Sequence, residues 1–184
     1  MDRTRLPNRQ SNRLREFDYS QNGAYFVTVC TARRLCLLGD IEDGEVRLSP
    51  AGQVAWLRWQ DLPRHTPELR IDEWVVMPNH LHGIILLPGS AVAGVLGANL
   101  LPGPKPGSLG AAIGGFKSAV SREIAANHLS PVRPFWQRNY YERVIRNAQE
   151  LDAIRRYIAD NPLRWDDDPD HLQLHSPTTL SQRS

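Results

Sequence analysis

The chain is short of cysteine: among 184 residues it has only Cys30 and Cys36. No CxxC pair exists, which excludes a zinc ribbon and argues against a disulfide framework. Long apolar runs are missing too. The longest, near Gly83–Leu87, is far too short to span a bilayer. The N-terminal MDRTRLPNRQSNRLREFDYS is basic but lacks the apolar core of a signal peptide, so the expected place of work is the cytoplasm, with no membrane partner. Charge of one sign is also scarce, with a formal net of only +2, so the total by itself points to no nucleic-acid partner.

What is present is unevenly distributed. Residues 1–16 carry Arg3, Arg5, Arg9, Arg13 and Arg15 against Asp2 and Glu16, which reads as a flexible basic arm. Residues 133–164 hold seven arginines, and acid gathers at the end in Asp166, Asp167, Asp168 and Asp170. Basic patches of this kind are compatible with phosphate contact, and equally with solvated surface arginines.

The length suits one domain with a substantial core. AYFVTVCTA (24–32) is rich in β-branched and aromatic residues and predicts a strand. In LCLLGDIEDGEVRLS (35–49), Asp43-Gly44 marks a hairpin turn. Ser49-Pro50 opens a helix that ends near Pro63. LRIDEWVVMP (69–78) and HLHGIILLP (80–88) are two strands around Pro78-Asn79. Residues 89–107 are rich in glycine and proline and read as a mobile linker within the domain. Ser108 caps a second helix with Leu109, Ile113, Phe116, Val120 and Ile124 on one face, although Gly114-Gly115 weakens it. FWQRNYYERVIRN (135–147) predicts a strand, and AQELDAIRRYIADNP (148–162) a third helix with Leu151, Ile154 and Ile158 on one face, stopped by Pro162. The polar tail, 166–184, reads as disordered. The order predicts an α+β domain over 17–165: a ferredoxin-like, mainly antiparallel sheet with helices packed on it, plus an added β-hairpin.

The chemistry begins with VVMPNHLHGIILLP (75–88). Alternate strand residues share a face, so His80 and His82 project together while Leu81 points the other way. Two imidazoles so placed can ligate one divalent metal; two surface or packing histidines are the competing reading, and the pair alone is a weak motif. Tyr157 and Asn161 lie four apart on the third helix, on one side. A carboxamide oxygen is an acceptable ligand for Mg²⁺ or Mn²⁺, and a tyrosine hydroxyl beside that ion could attack a phosphodiester. By itself Tyr157 reads more readily as an amphipathic helix residue with its ring in the core and its hydroxyl at the surface.

Taken together, MPNHLHGII, FWQRNYYERVIRN and RYIADNPLRW resemble the single-tyrosine HUH transposases (histidine, hydrophobic residue, histidine). Among these they are most similar to the REP-associated tyrosine transposases, named for repetitive extragenic palindromes. DYSQNGAYFVTVCTARR resembles that family's first strand and SLGAAIGGFKSAVSREI its middle helix. The resemblance covers roughly residues 12–165. It implies that His80 and His82 bind the metal, that Tyr157 is the nucleophile, and that Asn161 is a further polar ligand. It implies cleavage and rejoining of single-stranded DNA near hairpins through a 5′-phosphotyrosine link. Arg138, Arg143, Arg146, Arg155, Arg156 and the basic arm are then backbone contacts, and Tyr140 and Tyr141 base-stacking residues, with Trp136 either stacking or in the core. Tyr140 and Tyr141 are decoys as nucleophiles, since the motif selects the helical tyrosine. A homodimer, with the tyrosine acting in its own chain or its partner's, is left open.

Two rivals fail on residues. A histidine-triad hydrolase needs a third histidine at 84, where Ile84 stands. Two-histidine phosphoesterases need a hydroxyl residue two positions after each histidine, where His82 and Ile84 stand. The rival that survives is a DNA-hairpin-binding protein that keeps the fold but does not cut.

Overall fold

The computed structural model describes residues 23–87 and 107–167. The expected arm at 1–16, the linker up to residue 106 and the tail from 168 onward lie outside the described residues.

Among the described residues six strands and four α-helices follow one another. They are β1 (Gly23–Cys30), β2 (Gly39–Glu42), β3 (Glu45–Leu48), α1 (Pro50–Gln60), α2 (Leu62–His65), β4 (Arg70–Val76), β5 (His80–Leu87), α3 (Leu109–Ala126), β6 (Tyr141–Ile145) and α4 (Ala148–Asp160). The main sheet has the order β4-β5-β1-β6, and every neighbouring pair is antiparallel. That is the split βαβ arrangement of the ferredoxin-like plan, with β5 inserted between β1 and β4. The added hairpin is β2–β3. Its turn places Asp43 (φ 52°) and Gly44 (φ 76°) both in the left-handed region, as a two-residue hairpin turn of this hand requires.

The sheet's pleat sorts side chains between two layers. Tyr25, Val27, Val29, Leu81 and Ile85 face α1 and α3, where Val54, Trp59, Leu109, Ile113, Phe116, Val120 and Ile124 complete the large core. The predicted apolar face of α3 is all buried there, and Ser108 Oγ accepts the cap hydrogen bond from Ala111 N. The helix runs through Gly114-Gly115 because this burial outweighs a propensity cost of about 1 kcal/mol per glycine. Gly83 faces the same layer beneath Trp59: a Cβ there would lie 2.4 Å from the indole Cζ2. Ile84, Ile145, Phe26 and Val75 face the opposite way, against Leu151, Ile154 and Ile158 of α4.

Two expected elements differ in extent. α1 ends at Gln60, and Pro63 sits in the first turn of α2, where its missing N–H removes no helical bond. The strand expected over 135–147 is confined to Tyr141–Ile145. Phe135 and Trp136 are buried in the large core instead. The backbone of 135–137 docks on the end of β1, with Phe135 O accepting from Ala32 N and Gln137 N donating to Cys30 O. Lys117 Nζ then takes up the carbonyls of Gln137 and Arg138 at 2.6 and 2.9 Å. No helix among the described residues is long and apolar enough to cross a membrane.

Candidate active site

His80 and His82 open β5 and point away from the large core, toward α4, with ring centroids 4.3 Å apart. His82 pairs across the sheet with Thr28, and Thr28 with Tyr141, so one row of side chains crosses three strands. Thr28 Oγ1 lies 2.8 Å from His82 Nδ1. The other nitrogen, Nε2, is 3.3 Å from the Tyr157 hydroxyl. A phenol O–H donating to Nε2 leaves Nδ1–H to donate to Thr28. Phe26 stacks near both, 5.1 Å from the His82 ring and edge-on to Tyr157 at 6.1 Å.

His80 is fully buried. Its Nδ1 is 2.7 Å from Asn79 Oδ1, its Nε2 has no hydrogen-bond partner, and the Trp165 ring lies 6.2 Å away. Burial, with the Arg34 guanidinium nearby, pushes the imidazole down to about 3, so it is neutral at physiological pH. A neutral ring is the form that ligates metal. Asn161 is also buried, at the C-cap of α4, and its Oδ1 has no partner either. Tyr157 meets His82 on one side of Asn161 in the chain, and Trp165 meets His80 on the other, so Asn161 belongs to the segment laid over the pair.

His80 Nε2 and Asn161 Oδ1 are both buried without a hydrogen-bond partner, and together with His82 Nε2 they are donor atoms of the kinds that suit a divalent cation. Among the described residues no group of three histidine, cysteine or carboxylate side chains could hold a metal ion, so a further donor of another kind, such as the Asn161 carboxamide, would be needed. Two imidazoles and one oxygen suit Mn²⁺ better than Mg²⁺, which favours an all-oxygen shell.

α4 is fixed at both ends. Asn147 caps it, accepting from Glu150 N at 2.8 Å, while Glu150 reaches back to Arg146 N at 2.9 Å. Arg155, in the second half of the helix, grips Asp72 of the edge strand β4 through two bonds, 3.1 and 2.6 Å. Tyr157 itself stays 40% exposed.

The arginines singled out in the sequence are placed differently from one another. Arg155 is engaged by Asp72 and Asp152, and Arg143 by Glu150. Arg138, Arg146 and Arg156 are exposed and have no carboxylate bridge among the described residues. Arg138 lines two clefts of about 360 and 540 Å³ on either side of the 133–138 loop, together with Arg133, Trp136 and Gln137; Lys117 lines one and Arg33 the other. Tyr141 is 45% exposed on the sheet edge, whereas Tyr140 packs on the large core. Trp136 is 4% exposed, a core residue. Sequence reading gave no role to Asn79, Thr28 and Trp165, although they lie within the quoted motifs, or to Asp72, which lies in none. Asn147 did carry a signal, a capping residue three before Glu150.

No family model matches the chain. An uncharacterised protein of Haemophilus influenzae is 36% identical over 173 residues, covering 89% of this chain and 93% of that one. A REP-associated tyrosine transposase, solved bound to a REP hairpin, superposes with a TM-score of 0.57 at 22% identity, over 86% of this chain and 81% of the other. The resemblance read from the motifs is therefore borne out in the fold. This chain and the Haemophilus influenzae protein belong to one family, and its fold is that of the REP-associated tyrosine transposase.

Proposed function

We propose that the protein is a metal-dependent transposase-type nuclease that cuts and rejoins single-stranded DNA beside hairpins, with Tyr157 as nucleophile. One observation carries the reading: the Tyr157 hydroxyl meets His82 Nε2 while His80 Nε2 and Asn161 Oδ1 are buried without partners.

His80, His82 and Asn161 would hold Mg²⁺ or Mn²⁺. When bound, the ion supplies Lewis-acid polarisation of the scissile phosphate and neutralises charge on its oxygens. The chain supplies the rest. α4, held by its Asn147 cap and the Arg155–Asp72 pair, presents the Tyr157 oxygen at the exposed edge of the site. That oxygen forms a bond to phosphorus as the bond from phosphorus to the 3′ oxygen breaks. The phenol loses its proton and the departing 3′ oxygen gains one, giving a 5′-phosphotyrosine link and a free 3′-hydroxyl. Rejoining is the reverse and needs no nucleotide energy source. Arg138, Arg146 and Arg156, with Arg33, Lys117 and Arg133 along the two clefts, supply phosphate contacts; Arg143 and Arg155 act from their ion pairs. Tyr141, exposed at the sheet edge in the same row as His82, supplies a stacking surface, and Tyr140 supports it from the core. The proposed place of the reaction is the cytoplasm.

The rival is a hairpin binder that does not cut. Labelled single-stranded hairpin DNA from the gene's own flanks, incubated with Mn²⁺ or Mg²⁺, separates the two. Cleavage to a 3′-hydroxyl product that stops on chelation supports the nuclease. Tight hairpin binding with intact DNA under both metals establishes the rival.

A further inference from the structure

We infer that Asn79 is a positioning residue that dictates which nitrogen of His80 faces the centre. The inference rests on the metal reading above and goes beyond it, because it assigns the proton on a ligand ring.

Asn79 is fully buried in the turn between β4 and β5, and its polar groups are engaged on three sides. Its backbone oxygen accepts from Thr31 N at 2.9 Å, with the Thr31 hydroxyl at 2.9 Å as well. Its Nδ2 donates to the Arg34 carbonyl at 3.2 Å, and its Oδ1 lies 2.7 Å from His80 Nδ1. Flipping the carboxamide would set Oδ1 against the Arg34 carbonyl, two acceptors face to face, so the orientation has one solution. With Oδ1 fixed as an acceptor, His80 must carry its proton on Nδ1. Its lone pair is then on Nε2, the atom left without a partner.

Free imidazole side chains in water favour the proton on Nε2, so this tautomer has to be imposed. The backbone that imposes it is itself unusual. Arg33 (φ 56°) and Arg34 (φ 57°) are consecutive non-glycine residues in the left-handed region, and their turn brings the Arg34 carbonyl to the Asn79 amide. Thr28 stands beside His82 Nδ1 in the same way, so the two rings present equivalent nitrogens.

The test has a direct and a comparative arm. In metal-free protein at neutral pH, nitrogen-15 NMR of the histidine rings should show His80 protonated on Nδ1. A signal for the Nε2–H tautomer in the unsubstituted protein overturns the inference without any variant. Mn²⁺ titration by calorimetry is then compared across variants. Asn79→Ala should lose about 10- to 100-fold in affinity, as outer-shell partners of ligand histidines do, and shift the His80 proton toward Nε2. Asn79→Asp keeps an acceptor for Nδ1 but sets its second oxygen against the Arg34 carbonyl, so it should retain the Nδ1–H tautomer while recovering only part of the affinity. His80→Ala separates the two claims. If it leaves Mn²⁺ binding intact, the metal reading fails; if it abolishes binding while Asn79→Ala changes neither tautomer nor affinity, the role of Asn79 fails.

Discussion

The two faces of the sheet are built for different ends. Toward α1 and α3 the strands present Tyr25, Val27, Val29, Leu81 and Ile85 to a continuous apolar layer. Toward α4 the apolar contact is narrower: Ile84, Ile145 and Ile158 form its buried centre, and polar groups take over at the end where β5 begins. There His80, His82, Thr28 and Asn161 are buried, and Tyr157 stays half open. A closed layer can hold the fold, and that leaves the second layer free to keep buried acceptors without partners. Unsatisfied polar atoms lower stability, so they persist where the remaining core is large enough to tolerate them.

Substitutions should divide along the same line. The largest expected effect on stability is Trp59→Ala in the closed layer, about 3–5 kcal/mol by urea unfolding. A comparable loss from Tyr157→Phe would break the comparison.

Acid should act next, through the open layer. His80 has its folded-state value lowered to about 3, so the unfolded chain takes up a proton below pH roughly 6.5 that the folded chain refuses. Stability from this group is full above pH 6.5 and falls by about 1.4 kcal/mol per pH unit as pH drops toward 3. The same unfolding series with His80→Gln should show a slope shallower by one proton; an unchanged slope would place the acid sensitivity elsewhere.

Removing the α4 cap with Asn147→Ala should lower stability by about 1 kcal/mol. It should also slow DNA cleavage, because the capped helix carries Tyr157; cleavage at the full rate would detach the tyrosine's placement from the helix start. The smallest effect on folding belongs to Tyr157→Phe, within about 0.5 kcal/mol, since the residue is 40% exposed and its hydroxyl makes only a long contact with His82. Thermal unfolding checks this, and it should accompany complete loss of cleavage.

Much of this division was legible in residues. The alternation that sends His80 and His82 one way and Leu81 the other follows from strand geometry, and the apolar steps of α3 gave its buried face directly. The shortening of the 135–147 strand was not legible. Its aromatic run reads as a strand, but the carbonyls of Gln137 and Arg138 are taken by Lys117, a partner 20 and 21 residues away. The same limit hid Asp72, whose engagement of Arg155 spans 83 residues. Arg155 and Arg143 looked equivalent to Arg138 in sequence because ion-pair partners are set by tertiary contact.

If the helical tyrosine and the histidine pair form one reacting centre, the denaturation-resistant protein–DNA adduct formed with Mn²⁺ and hairpin DNA carries its nucleotide on the tyrosine of α4. Mass spectrometry of the adduct's peptides should find a nucleotide linked to Tyr157, and no adduct when His80 and His82 are replaced. A nucleotide linked to Tyr140 or Tyr141 would contradict it.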